Sequence, residues 1–282
     1  MTSTGASQER PGEPISDRNP RVVSALKLVK PTERRKAGRF LAEGPNAVSA
    51  ALAHGTVIEL FATSKALERH DAIIGTAACP VWVVSERTAK GLSETVTPQG
   101  LVAVCEAPSA RLDETLAQVP PDGFVAVLAD VNEPGNAGTI IRVADAAGAA
   151  AVVIAGASVD PLNGKVIRAA AGSSFHLPIV RAASTEDAVD ELLRAGFRVL
   201  ATSARGEVSL FDASDALSGA RVAWLFGNEA HGLPDAIVER ATHAVSIPIR
   251  GEAESLNLAT AATLCLYESA RGLHESARAR AG

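Results

Sequence analysis

Residues 124–156 read FVAVLADVNEPGNAGTIIRVADAAGAAAVVIAG. An apolar run, FVAVLAD, leads into a turn of small and polar residues. A helical segment from Asn136 to Gly148 follows, then a second apolar run, AVVIAG. Continuous apolar strands, unlike alternating ones, suit a parallel sheet covered on both faces, and the intervening helix supplies the crossover. The pattern continues with helix GKVIRAAAG, strand LPIV, helix STEDAVDELLRAG, strands FRVLATS and RVAWLFG, helix PDAIVER and strand HAVSIPI. A long helix from Ser255 to His274 ends it. The expected fold class is α/β, with a mostly parallel C-terminal sheet spanning residues 124–282.

Towards the N-terminus the residues 108–123 contain three prolines and the short polar piece DETLAQV, which reads as a linker. Residues 19–107 form a second, smaller α/β alternation. Asn19-Pro20 caps and opens a helix to Lys30, Pro31 interrupts it, and a basic helix covers Thr32 to Ala37. Strands RFLAE, VIELFAT, VWVV and LVAVCE alternate with helices PNAVSAALAHG, SKALERHDAII and ERTAKGLSE, the last capped by Ser85. Residues 1–18 are polar and rich in Pro, Gly, Ser and Glu, and read as a disordered tail, not a leader.

With 282 residues, 47% hydrophobic and 21% charged, the chain has the composition of a two-domain globular protein. No apolar stretch approaches the roughly 20 residues needed to span a bilayer. Cys79, Cys105 and Cys265 are widely spaced in apolar contexts, so neither a metal site nor a disulfide framework is expected, and a cytoplasmic location fits. The net charge of −5 hides an asymmetry. Arg18, Arg21, Lys27, Lys30, Arg34, Arg35, Lys36 and Arg39 face only Glu33, so that segment carries +7 and the remainder −12. A local basic footprint of this kind suits phosphate, with a solvated helix face as the bland alternative. Aromatics make up 4%, too few for a base-stacking sheet.

Three blocks, each beyond an apolar strand, carry the chemistry: NEPGNAGTIIR (Asn132 to Arg142), LFGNEAHGLP (Leu225 to Pro234) and IPIRGEAESLNLATAATLCLYE (Ile247 to Glu268). Ligands in open α/β sheets bind beyond the carboxyl ends of strands, so the blocks predict one composite pocket. In the first, small residues around Asn136 would let amides approach an anion at a helix N-terminus. The spacing is not the GxGxxG of dinucleotide sites. Arg142 either reaches back to the pocket mouth or pairs with Asp145. In the second, a flat ligand can pack on Gly227, and Glu229 can accept from an amine, a hydroxyl or an arginine. His231 lacks a Ser or Cys partner for a hydrolase triad. In the third, Ser255 is the expected N-cap with Asn257 in the first turn, and main chain near Ile247 and Leu256 can clamp an adenine.

Together these blocks closely resemble the three motifs of the SpoU (TrmH) family of RNA ribose methyltransferases, in the SPOUT superfamily. The resemblance implies a deep C-terminal trefoil knot, S-adenosylmethionine as cofactor and a homodimer whose subunits complete each other's sites. It implies cofactor contacts at Gly227, Ile247 and Leu256, and substrate or catalytic roles for Asn136, Arg142, Glu229, Ser255 and Asn257. Residues 19–107 look like the RNA-binding domain that many members carry, with Arg21, Arg34, Arg35, Lys36 and Arg39 as RNA contacts. Ala230-His231 and Pro234 depart from the usual pattern of the second motif. The implied reaction is methyl transfer to a ribose 2′-hydroxyl of structured RNA, ribosomal first and transfer RNA second, with a non-catalytic RNA-binding role as the rival. Because an arginine pKa above about 12 makes a free-guanidine base costly, Arg142 is expected to clamp phosphate and developing alkoxide.

Overall fold

The computed structural model describes residues 13–217 and 219–281. It divides into two compact units, one reaching to Ala107 with Leu162–Gly164, the other made of Pro108–Pro161 and the residues from Lys165. The first twelve residues of the expected tail lie outside the described residues.

In the first unit the order is α1 (Pro20–Lys27), α2 (Pro31–Ala37), β1 (Arg39–Glu43), α3 (Pro45–His54) and β2 (Val57–Ala62). Then come α4 (Ser64–Arg69), α5 (Asp71–Ile74), β3 (Val81–Val83), α6 (Glu86–Gly91) and β4 (Leu101–Glu106). Proline at the first positions opens α1, α2 and α3, where its missing N–H costs nothing. The sheet order is β1-β4-β2-β3, with β4 antiparallel to both neighbours and β2 parallel to β3. Two expectations change here. SKALERHDAII is not one helix but two, broken at His70. Residues 13–18 are not a free tail. Ile15 is buried and its N–H donates to the Val83 carbonyl at 2.8 Å, while Asp17 accepts from the hydroxyls of Ser85 and Thr88.

The second unit runs α7 (Leu112–Ala117), β5 (Phe124–Ala129), α8 (Pro134–Ala147), β6 (Ala151–Ala155), α9 (Gly164–Ala169), β7 (Ile179–Ala182) and α10 (Thr185–Arg194). It continues with β8 (Arg198–Thr202), β9 (Val208–Ser209), α11 (Ser214–Leu217), β10 (Val222–Phe226), α12 (Asp235–Val238), β11 (His243–Ser246) and α13 (Leu258–Ala281). Among the described residues its seven strands are ordered β7-β6-β5-β10-β8-β11-β9, every pairing parallel. Successive residues of a strand feed opposite faces. Ala126, Leu128 and Trp224 pack under α8 and α13, whereas Val125, Val127 and Leu225 pack under α7, α10 and α12. The expected linker 108–123 is therefore part of this unit, because Leu116 and Val119 are buried against the second face. The LPIV strand lies further on, at Ile179–Ala182, and β9 and α11 escaped the sequence pattern. Among the described residues no helix is long and apolar enough to cross a membrane.

From β5 the chain moves to β6 and β7 on one side, while β10 lies on the other. The order of strands thus reverses between β5 and β10, the place where open parallel sheets hold ligands.

Candidate active site

Strands β5 and β10 run in register, Leu128 beside Phe226, so the loops beyond them emerge together. Glu229 is bound by the first block. Its Oε1 accepts from the Glu133 N–H at 3.0 Å and from Asn136 Nδ2 at 3.2 Å, and its Oε2 from the Asn132 N–H at 3.2 Å. Burial raises the Glu229 pKa, but the backbone amides and the Asn136 amide outweigh it and hold the carboxyl below its usual value. Asn136 Oδ1 in turn accepts from Asn257 Nδ2 at 3.1 Å, and Asn257 Oδ1 accepts from the N–H groups of Ala259 and Thr260. One hydrogen-bonded chain therefore joins all three blocks.

This geometry revises several expectations. The start of α8 is not an open anion site. Glu133 caps it through Gly135 N–H, and Glu229 supplies the second carboxylate. Gly138 serves packing, since a Cβ there would lie 2.5 Å from the Val166 carbonyl oxygen of α9. Asn257, not Ser255, caps α13, and Ser255 lies exposed on the preceding loop. At Gly227 a Cβ would meet the backbone of Gly232 at 2.4 Å, because the loop folds back through an Asn228–Gly232 bridge. Its smallness is demanded by its own turn. Ile247 is half-buried against the core, while Ile249 and Leu256 are exposed beyond the ends of the strands. Apolar side chains beside main-chain polar groups at this point fit an adenosine-bearing cofactor.

Arg142 stands apart from the chain of hydrogen bonds. Six residues beyond Asn136, it is ~9 Å further along α8 and turned to another face. It lines a groove of about 720 Å³ with Thr139, Val143, Ala146, Leu264 and Tyr267, between α8 and α13. Asp145 is engaged by His176 at 2.8 Å. Two residues that the sequence did not single out complete the loops. Asn228 donates to the Asp130 carbonyl at 2.9 Å and accepts from Ala230 and His231, and Glu133 is the cap of α8. The Glu133-Pro134 pair was the available signal for that cap.

On the first unit the basic residues separate into two kinds. Arg34, expected at phosphate, is buried, 3% exposed, and donates to the carbonyls of Leu28 and Val29 at the end of α1. Arg21 is held by Glu59 at 3.1 Å and lies 4.6 Å from the centre of the Trp82 ring. Both have structural work. Arg35, Lys36 and Arg39 are exposed. Among the described residues no cluster of three or more His, Cys, Asp or Glu is placed to hold a metal.

Residues 123–267 match the SpoU rRNA Methylase family and residues 19–103 the MRM3-like substrate binding domain. The 23S rRNA (guanosine(2553)-2'-O)-methyltransferase RlmP of Bacillus subtilis (strain 168) is 36% identical over 89% of this chain and 96% of its own length. The 23S rRNA (uridine(2479)-2'-O)-methyltransferase of Streptomyces viridochromogenes is 33% identical over 91% of both. Among solved structures, the SpoU methyltransferase AviRb from Streptomyces viridochromogenes in complex with AdoMet superposes with a TM-score of 0.80 and 32% identity. It covers 91% of this chain and 99% of that one. With family, fold and three linked blocks in agreement, the chain belongs to the SpoU rRNA methylase family.

Proposed function

We propose that this chain transfers a methyl group from S-adenosylmethionine to a ribose 2′-hydroxyl of large-subunit ribosomal RNA, as a homodimer with Arg142 acting across the interface. The family supplies the reaction class, and relatives named for 23S ribosomal RNA favour that substrate over transfer RNA. The observation that carries the reading is the hydrogen-bonded chain Glu229–Asn136–Asn257, which RNA affinity alone would not require. Gly227, Ile247 and Leu256 are the proposed cofactor contacts, with Ser255 on the exposed loop towards substrate. When bound, the cofactor supplies an electrophilic methyl. The protein's part is then to align the ribose oxygen with it and to neutralise charge as the oxygen loses its proton. Arg142 would meet the adjacent phosphate and the developing alkoxide.

Dimerisation is supported by the α8–α13 groove, whose exposed Leu264 and Tyr267 flank Arg142. A second copy seated there would bring each Arg142 towards the other subunit's loops. The knot is part of the same proposal. Leu210 and Ala216, on the crossing from β9 to β10, share the core of one sheet face with α13, which supports threading of the C-terminal segment there. The proposed compartment is the cytoplasm. Label from methyl-labelled S-adenosylmethionine should enter ribosomal RNA and appear in alkali-resistant dinucleotides. Label on a base, or on no RNA, would sink the reading.

The first unit, residues 19–107, is proposed to bind RNA through Arg35, Lys36 and Arg39. Neutralising these should raise the RNA KM and reduce the salt slope by roughly 0.7 to 0.9 per lost phosphate contact, with kcat and cofactor affinity unchanged. An unaltered slope would return the cluster to a solvated face. Arg34→Ala, by contrast, should lower the melting temperature, since it uncaps α1 and empties a buried position.

A further inference from the structure

Asp130 has φ 56°, in the left-handed region that residues other than glycine rarely enter. It is the first residue beyond β5, and its polar atoms reach three other loops. Its Oδ1 accepts from the Ala157 N–H at 2.8 Å in the loop after β6, and its Oδ2 from the buried Thr185 hydroxyl at 3.1 Å, at the start of α10. Its carbonyl accepts from Asn228 Nδ2 at 2.9 Å, beside Glu229. The fit is close: a Cβ on Gly156, itself at φ 64°, would lie 2.4 Å from Asp130 Oδ1. The next residue is fixed too, since Val131 N–H donates to Ser158 Oγ at 2.9 Å.

Residues held in sparsely populated backbone regions persist where the surroundings over-determine them, and they concentrate at functional sites. Aspartate tolerates the left-handed turn because its short side chain bonds locally. Here the turn divides the residue's work. The carboxylate anchors it to the β6 and β7 side of the sheet, and the carbonyl is left to hold the β10 loop. Immediately downstream, the Asn132 and Glu133 amides bind the Glu229 carboxylate.

We infer that Asp130 is a positioning residue for methyl transfer: its left-handed turn, pinned by Ala157 and Thr185, sets where the Glu229 loop meets Asn136. This rests on the proposed function and adds to it a residue outside the three blocks. Asp130→Asn keeps tolerance of the turn and an acceptor for Ala157. Asp130→Gly keeps the turn without the anchor, and Asp130→Ala keeps neither. Thr185→Val removes one anchor without changing shape.

Two measurements test it together. The first is steady-state kinetics on ribosomal RNA, with kcat expected to fall in the order Asn, Gly, Ala, by up to about 100-fold, as a displacement of about 1 Å can cost. RNA KM and S-adenosylmethionine Kd should stay near wild type, and Thr185→Val should lower kcat in the same direction. The second needs no activity: hydrogen exchange of the Asn132 and Glu133 amides should quicken in Gly and Ala variants and remain nearest wild type in Asn. Unchanged exchange and kcat in folded Asp130→Gly would overturn the proposal, as would a loss that only tracks the folded fraction. Exchange that quickens in a protein whose wild type methylates no RNA would overturn the proposed function while leaving Asp130 as the holder of this loop.

Discussion

Arg142→Ala should lose about 100- to 1,000-fold in turnover, the usual loss for a preorganised donor to developing charge, with S-adenosylmethionine affinity nearly intact. Lysine should rescue poorly, because a point charge cannot reproduce the planar guanidinium fork. The sharper result concerns mixtures. Arg142 lines the α8–α13 groove apart from the Glu229–Asn136–Asn257 chain, so in the proposed homodimer it would serve the other subunit's site. Co-folding the Arg142→Ala chain with a Glu229→Ala chain should then yield activity that neither parent shows. In a mixed dimer one site receives an intact Arg142 and keeps an intact Glu229, and the other loses both. No gain on mixing, with both variants dimeric, would mean that Arg142 acts within its own subunit.

Glu229→Ala should cost about 100-fold in kcat, through displacement of the first block instead of loss of a proton acceptor. Its removal leaves the Asn132 and Glu133 amides and Asn136 Nδ2 without their carboxylate partner. Gln should fare better than Ala, since its carbonyl can still take one of these donors. The pH dependence has a definite sign. A carboxyl held below its usual pKa in the folded state adds stability at pH values above its unfolded pKa. That contribution disappears as pH falls through the lowered folded value. The clamp is therefore fully charged at neutral pH, and the kcat profile there should show no limb that vanishes in Glu229→Gln. Such a limb would make Glu229 a general base.

The strands of the large sheet were legible because Phe124–Ala129, Ala151–Ala155 and Val222–Phe226 are buried along their whole length and must be apolar throughout. What escaped depends on partners distant in sequence. Strand β9 has two residues and exists only through its pairing with β11. Helix α7 looks polar because Asp113 and Glu114 pair with Arg111 on its exposed side, while Leu116 and the partly buried Leu112 anchor it. Arg34 illustrates a different failure. An arginine in a basic run reads as exposed, and nothing local announces that the open carbonyls of α1 need it. The blocks themselves stood out as polar turns after apolar strands. Their wiring did not, since Asn136 meets partners 93 and 121 residues away, and the pattern pointed to Ser255 as the cap that Asn257 in fact supplies.

The chain's two tryptophans fall one to each unit. Trp82 is half-buried, with Arg21 over its ring and Nε1 on Glu59 at 3.0 Å. Trp224 is fully buried in β10 and donates to Ser269 Oγ of α13 at 2.8 Å. Intrinsic fluorescence therefore carries one reporter for the basic unit and one for the seat of the C-terminal helix, and neither needs an engineered label. Opening of α13 would bring water to the Trp224 indole and shift its emission to longer wavelength.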